Sequence, residues 1–180
     1  MKKLVIGLII CLLTLTGCEN NLMNTPTKRV ETLLNNYVTL DKKVLDDLDE
    51  TLLSETIMTN TQKDEYREII KKQYQNLAYK IKDETIDADK ANVEVEIEVY
   101  NYKKIIDDAN NYLTQNQKEF VDETGKVNPE KFNDYKLKAL KDVKDKVTYT
   151  LNLTLTKKDN KWMLNDLTDT DISKIHGMYA

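Results

Sequence analysis

Two cysteines and one histidine are the side chains of this 180-residue chain with the most versatile chemistry. A cysteine thiol can act as a nucleophile, a metal ligand, a disulfide partner or a site of acylation. Cys11 lies within an apolar run, and Cys18 follows shortly after that run ends. His176 has no serine or cysteine at a recognisable catalytic spacing, so we predict a helix-end residue rather than a member of a catalytic triad.

One aspartate and two tyrosines form a second candidate group, which could line a ligand pocket. Asp41 falls within an apolar stripe at helical spacing, and Tyr37 and Tyr66 lie on apolar faces. A polar residue in such a stripe is more often found at its edge or beside a helix kink, and buried tyrosines are more often core residues. Both interpretations are kept: a possible pocket at these three residues, or ordinary packing.

Three glutamates alternate along one segment and could suggest a cation site. Alternate residues of a strand lie about 6.8 Å apart, which is too wide for Glu94, Glu96 and Glu98 to share one ion without further ligands. We therefore expect a solvated strand face with cross-strand lysine partners. No calcium-loop spacing and no glycine-rich phosphate loop is present, and we expect neither a metal nor a cofactor.

The amino-terminal segment is typical of an export signal. Lys2 and Lys3 provide a short positive region, residues 4–15 provide an apolar region, and the small residue Gly17 precedes Cys18. A membrane-spanning helix needs about 20 apolar residues, and this run is shorter. Export is therefore favoured over a permanent span.

The four residues Leu15-Thr16-Gly17-Cys18 resemble the lipobox of bacterial lipoproteins. The resemblance implies a diacylglyceryl group, with acyl chains such as palmitate, on the Cys18 thiol and removal of the signal peptide, residues 1–17. Two acyl chains hold a protein stably at a membrane. Residues 18–26 then form the lipidated cysteine and its tether. The alternatives are an ordinary signal peptide with an incidental cysteine and a plain membrane anchor.

Composition excludes several classes of function. Without residues 1–17 the chain has 163 residues, enough for one packed domain, with 25 basic and 31 acidic side chains and a net charge of −6. Nucleic-acid binding depends on lysine and arginine contacts with phosphate, so we do not expect a nucleic-acid partner. Residues 19–180 contain no cysteine, and this excludes disulfides and cysteine-ligated zinc sites from the folded domain.

Hydrophobic periodicity predicts helices first. A helix should start at Thr25-Pro26, a capping residue followed by proline. Its apolar positions follow a 3,4 spacing at Val30, Leu33, Leu34, Tyr37, Val38, Val44, Leu45 and Leu48. This spacing predicts one long amphipathic helix, followed by a short helix and another that begins near residue 60.

The period then changes to two, which is typical of strands. Alternation covers residues 77–81, 93–99 and 147–155, and Trp162 opens a return strand after a turn. Residues 103–143 return to helical spacing and form a predicted helical hairpin between strands. A last short helix contains Ile172 and Ile175.

This order predicts an α+β fold: an antiparallel sheet of about four strands curled around the N-terminal helix, with the helical hairpin inserted. Residues 27–180 form a single cone-like domain. The Thr25-Pro26 start, the Trp162 strand and the ending at residues 169–179 resemble the nuclear transport factor two-like, or cystatin-like, fold of uncharacterised lipoproteins from Gram-positive bacteria. That fold carries many functions and implies none by itself.

The resemblance implies a lipid-anchored protein on the extracytoplasmic face of a Gram-positive cell membrane. We expect a non-enzymatic module that binds an envelope protein or a small ligand. One alternative is a cone-fold isomerase or dehydratase that uses Asp41 and a tyrosine, and another is a small solute-binding lipoprotein.

The inserted hairpin is a candidate partner surface because it carries five aromatic residues: Tyr102, Tyr112, Phe120, Phe132 and Tyr135. Aromatic side chains dominate interface hot spots. The alternative is that all five pack inward. On the partner-surface hypothesis, the body should stay folded when residues 104–143 are removed.

Overall fold

The computed structural model describes residues 24–180, in which six α-helices accompany an open four-stranded antiparallel sheet. The predicted α+β class is confirmed. The predicted signal peptide, Cys18 and most of the predicted tether lie outside the described residues. The elements, in chain order, are α1 Pro26–Val38, α2 Lys42–Ser54, α3 Asn60–Gln75, β1 Ala78–Asp87, β2 Lys90–Tyr100, α4 Tyr102–Gln115, a 3-10 turn Gln117–Phe120, α5 Pro129–Lys141, β3 Lys146–Lys158, β4 Lys161–Leu164 and α6 Asp169–Ile175.

The sheet is a meander of order β1-β2-β3-β4, and β2 is the better buried of its two interior strands. Val93, Val95, Ile97 and Val99 are all fully buried, as the alternation predicted. Glu96 pairs with Lys82 on β1 at 3.3 Å. Glu98 pairs with Lys146 on β3 at 2.8 Å. The glutamate face is thus a polar surface with cross-strand lysine partners, although Glu94 and Glu96 are half-buried.

The predicted long first helix is wrong: the stripe is divided between α1 and α2. Leu40 adopts a left-handed backbone conformation with φ of 56°. The Asp41 amide donates to the Asn36 carbonyl, five residues earlier, at 2.8 Å, and this bond closes the end of α1. Asp41 then caps α2 by accepting a hydrogen bond from the Lys43 amide at 2.9 Å. The apolar spacing continues across the break, so periodicity alone does not reveal it.

Helix α1 packs on the apolar face of the sheet, where Val30 and Leu34 are fully buried. Thr25 caps it and Pro26 occupies its first turn, as predicted. Polar contacts hold its two ends against β1. The Thr27 hydroxyl donates to Glu84 at 2.6 Å, and the Tyr79 hydroxyl donates to the Asn35 side chain at 3.0 Å.

The inserted hairpin has its own small core but is also built into the main one. Ala109, Phe120 and Phe132 are buried together, with Tyr112 and Tyr135 packed against them. Farther along the hairpin, Leu137, Leu140 and Val143 are buried in the main core with the sheet residues. Deletion of residues 104–143 would therefore remove part of the main core, and the expectation that the body stays folded without them is corrected.

The segment after α6 is locked between α3 and the end of β2. The fully buried Gln73 amide accepts a hydrogen bond from the Tyr100 amide and donates one to the Tyr100 carbonyl, both at 2.9 Å. Gly177 has a φ of 67°, and a methyl group there would collide with the Tyr100 carbonyl and the Gln73 amide. Its neighbour His176 lies 2.7 Å from the Tyr74 hydroxyl through Nε2.

Candidate functional site

The three residues predicted to form a pocket have different surroundings. Asp41 is exposed and caps α2. Tyr37 is half-buried, with its ring centroid 5.0 Å from that of Tyr74 in an edge contact. Burial raises the pKa of Tyr37, and the nearby Asp47 raises it further. Only Tyr66 lines the cleft described next.

A cleft of about 500 Å³ lies where the end of α2 and its following loop meet α3, α4 and α5. We call it the α5 cleft, because α5 supplies four of its lining residues. Small-molecule sites typically fall within the same range of volume. The apolar part of its wall consists of Leu52, Met58, Ile106, Leu137 and Leu140. The polar part consists of Thr51, Ser54, Glu55, Thr56, Tyr66, Asn133 and Lys136.

The helical repeat of α5 places two polar side chains, Asn133 and Lys136, at the cleft wall. Asn133, Leu137 and Leu140 follow the i, i+4, i+7 spacing of one buried stripe, and all three are almost fully buried. Lys136 lies three residues after Asn133, so the two side chains are neighbours on the helix surface. The cleft wall therefore presents an amide and an ammonium group directly beside apolar side chains.

The Asn133 amide is the unusual feature of the α5 cleft. The residue is 3% exposed, and its Nδ2 atom has no hydrogen-bond partner within residues 24–180. A buried donor without a partner costs about 1–3 kcal/mol, and native proteins leave few such groups. An acceptor atom on a bound molecule would recover that cost.

Lys136 contributes the positive charge. Its side chain is half-buried, and desolvation lowers the pKa of its ammonium group, with Glu55 acting in the opposite direction. The Nζ atom lies 4.9 Å from the centroid of the Phe132 ring. Among the described residues, no carboxylate lies within 4.0 Å of this nitrogen. An anionic group in the cleft would find a partly desolvated, available cation.

Tyr66 contributes a hydroxyl donor. Its hydroxyl group donates to the Met178 sulfur at 3.7 Å. Burial, with a smaller effect of Glu55, raises the pKa of Tyr66 to about 12. The phenol therefore keeps its proton at neutral pH. Glu55, on the rim, accepts a hydrogen bond from the Ile57 amide at 2.8 Å.

Sequence reasoning missed Glu55, Asn133 and Lys136. The signal for Asn133 was its place in the stripe with Leu137 and Leu140, where a polar residue interrupts an apolar series. No sequence signal marked Glu55 or Lys136, because the cleft forms only when α2, α3, α4 and α5 are brought together.

Residues 24–180 contain neither a cluster of metal ligands nor a membrane-spanning helix. No group of three or more histidine, cysteine, aspartate or glutamate side chains is placed to hold a metal ion. None of the helices in that range is both long and apolar enough to cross a membrane.

No protein-family model matches the chain, and no curated protein matches it. Among solved structures, ycdA of Bacillus subtilis, described as a candidate lipoprotein, matches with 17% sequence identity and a TM-score of 0.40. The match covers 83% of this chain and 46% of that protein, so this chain spans less than half of its length. A likeness at this level carries no argument about fold or function.

Proposed function

We propose that this chain is a lipid-anchored extracytoplasmic protein whose folded domain binds a small ligand in the α5 cleft. The observation that carries the binding site is the Asn133 amide, buried without a partner beside the ammonium group of Lys136 on an apolar wall. The observation that carries the anchor is the lipobox-like Leu15-Thr16-Gly17-Cys18 after an apolar run.

The described structure supports a short tether. The Asn24 side chain donates to the Asn160 carbonyl at 2.9 Å and accepts from the Trp162 amide at 3.0 Å. These two bonds hold the chain against the folded domain from residue 24 onward. The six residue steps from Cys18 to Asn24 reach at most about 20 Å when fully extended.

Helix α1 on the apolar face of a strand meander, followed by a short C-terminal helix, supports a cone fold of the nuclear transport factor two-like type. In that arrangement the α5 cleft is built by the inserted hairpin together with α2 and its following loop, and no sheet residue lines it. The fold therefore serves as a support for the site.

Binding is favoured over catalysis by the protonation behaviour of the cleft. An acid–base catalyst works best with a pKa near the operating pH. The pKa of Tyr66 is raised to about 12, and its hydroxyl is held by Met178. Asp41, the carboxylate of the enzyme hypothesis, is exposed at the start of α2. The isomerase or dehydratase alternative would have to use Glu55 instead.

A protein partner on the aromatic face of the insertion is the second hypothesis, and packing gives it little support. Tyr102, Phe120 and Phe132 are buried, and the Tyr112 and Tyr135 rings stack on each other with centroids 5.0 Å apart. The apolar surfaces of these aromatic side chains are therefore used in packing within the domain and are not available to a partner. A small solute-binding lipoprotein, the third hypothesis, is compatible with the α5 cleft.

Two tryptophan variants test the site in the full-length, membrane-extracted protein. Thr51 is exposed and lines the cleft, and its hydroxyl donates to a carbonyl four residues earlier. Thr114 on α4 is exposed, makes the same kind of bond, and does not line the cleft. We expect native mass spectrometry to find a co-purified small molecule on the wild type and on Thr114→Trp but not on Thr51→Trp.

Equal retention of that molecule by both variants would place binding outside the α5 cleft. Capture of an envelope protein that is unaffected by Thr51→Trp, with no small molecule on any form, would favour the partner hypothesis.

A further inference from the structure

We propose that the ligand of the α5 cleft is an apolar monocarboxylate, a small acid whose carboxylate is held by Lys136 and Asn133 while its body lies on the apolar wall. This inference deepens the proposed function and rests on it. It names the chemical class that the cleft's charges, hydrogen-bond donors and shape select.

The number of charges in the cleft selects a single negative group. Among the residues that line it, Lys136 is the one cation and Glu55 is the one anion. The Glu55 carboxylate already accepts the Ile57 amide at the rim. Lys136 can balance one negative group, whereas a second negative group would find no cation and would be repelled by Glu55.

The donors select a carboxylate in particular. Lys136 has no carboxylate partner within the described chain, and the Asn133 nitrogen has no acceptor. They lie three residues apart on α5 and are neighbours on its surface, so one carboxylate group can lie between them. Charge-assisted hydrogen bonds of this kind are roughly twice as strong as neutral ones. Each donor thus gains the partner that the protein itself does not provide.

The remaining wall selects an apolar body. Leu52, Ile106, Leu137 and Leu140 line the cleft next to the two donors. Burying apolar surface contributes about 25 cal/mol per Å², so a hydrocarbon body adds affinity that a formate or acetate ion lacks. The cleft volume of about 500 Å³ admits a ring or a chain of several carbons.

The test uses 3-phenylpropanoate and its neutral isostere 3-phenylpropanamide, with the lipidated full-length protein in nanodiscs and calorimetry as the readout. Empty nanodiscs correct for partition into lipid. The variants are Lys136→Met, which removes the charge and keeps the stem, and Asn133→Leu, which removes the unpartnered amide. Lys138→Met is the matched control, because Lys138 is exposed on the same helix and does not line the cleft.

We expect the acid to bind the wild type and Lys138→Met equally and the amide to bind at least about tenfold more weakly. Lys136→Met should reduce the affinity for the acid by at least about tenfold, because the acid loses a hydrogen bond to a charged group. The affinity for the amide should stay unchanged. Asn133→Leu should weaken the acid while the unfolding temperature stays at or above the wild-type value.

Equal affinity for acid and amide, or no loss in Lys136→Met, would overturn the ligand class. If the amide still binds and Thr51→Trp abolishes that binding, the α5 cleft remains the site and only the class fails. If the acid binds Thr51→Trp as well as the wild type, the cleft itself fails. Binding of N-acetyl-alanyl-phenylalanine with no binding of 3-phenylpropanoate would replace the small acid with a peptide carboxyl terminus.

Discussion

At the scale of single residues, the buried side-chain amides provide an internal comparison. The Gln73 amide is paired at both ends with Tyr100, and the Gln62 amide donates to the Glu130 carbonyl and to Asp134. Asn133 is equally buried, yet its nitrogen is unpaired within the described chain. The contrast with these two paired amides supports the proposal that Asn133 belongs to a binding site.

His176 leads to a prediction about pH. Desolvation lowers the pKa of this histidine from 6.5 to about 4, and the Tyr74 hydroxyl lies 2.7 Å from its Nε2. Between these two pKa values the unfolded chain binds the proton and the folded one does not, so stability falls as pH drops from 6.5 towards 4. His176 is partly exposed to solvent, which reduces the effect of the pKa shift. We therefore expect the free energy of unfolding, measured by chemical denaturation, to fall by about 2–3 kcal/mol.

The control is His176→Gln, which keeps a hydrogen-bond acceptor near Tyr74 and cannot titrate. Because the chain has one histidine, this variant should lose most of the dependence between pH 6.5 and 5. A slope in that range equal to the wild-type slope would contradict the buried neutral imidazole.

At the scale of elements, β2 gives the sharpest stability prediction. Ile97 is fully buried and pairs with Tyr79 and Tyr149 across the sheet. Ile97→Ala should therefore cost about 2–5 kcal/mol in the free energy of unfolding. The adjacent Glu96→Gln, on the polar face, should change it by less than about 0.5 kcal/mol. Denaturation curves with the reverse order would mean that the strand faces the other way.

Element type was predictable where one physical rule dominated. Alternation identified β2 and β3, and a capping residue followed by proline identified the start of α1. The break at Leu40 was not predictable from apolar spacing, since a leucine with positive φ is rare and the stripe continues beyond it. The α5 cleft was even less predictable, because its walls come from four elements. The one sequence signal was the polar residue Asn133 in the apolar stripe of α5.

At the scale of the whole molecule, the proposed anchor at Cys18 and the position of Asn24 on the sheet predict how the domain would face a membrane. Asn24 is fixed at the β3–β4 turn, and the Lys157 amide donates to the Asp89 carbonyl in the β1–β2 turn at 2.7 Å. These two turns therefore lie at one end of the sheet. Helices α4 and α5 leave β2 and rejoin β3 at the other end. We expect the turns to face the membrane and the insertion to face away from it.

Single-cysteine variants measure this orientation, because the chain has no cysteine after Cys18. Lys161→Cys lies at the β3–β4 turn, and Lys144→Cys lies two residues before the start of β3, at the other end of the sheet. Strand β3 is about 40 Å long at 3.3 Å per residue. Both lysines are exposed. A fluorophore at 161 should be quenched by spin-labelled lipid headgroups far more than one at 144. Equal quenching, or the reverse order, would contradict the proposed orientation.

The central claim is that Cys18 carries the anchor, and intact mass spectrometry of the protein extracted from membranes tests it most directly. We predict a chain of 163 residues that begins at Cys18 and carries the added mass of a diacylglyceryl group, and we predict that Cys18→Ala leaves an unprocessed, unmodified precursor. A wild-type mature terminus without acyl mass, or a mature chain that begins at another residue, would contradict the account.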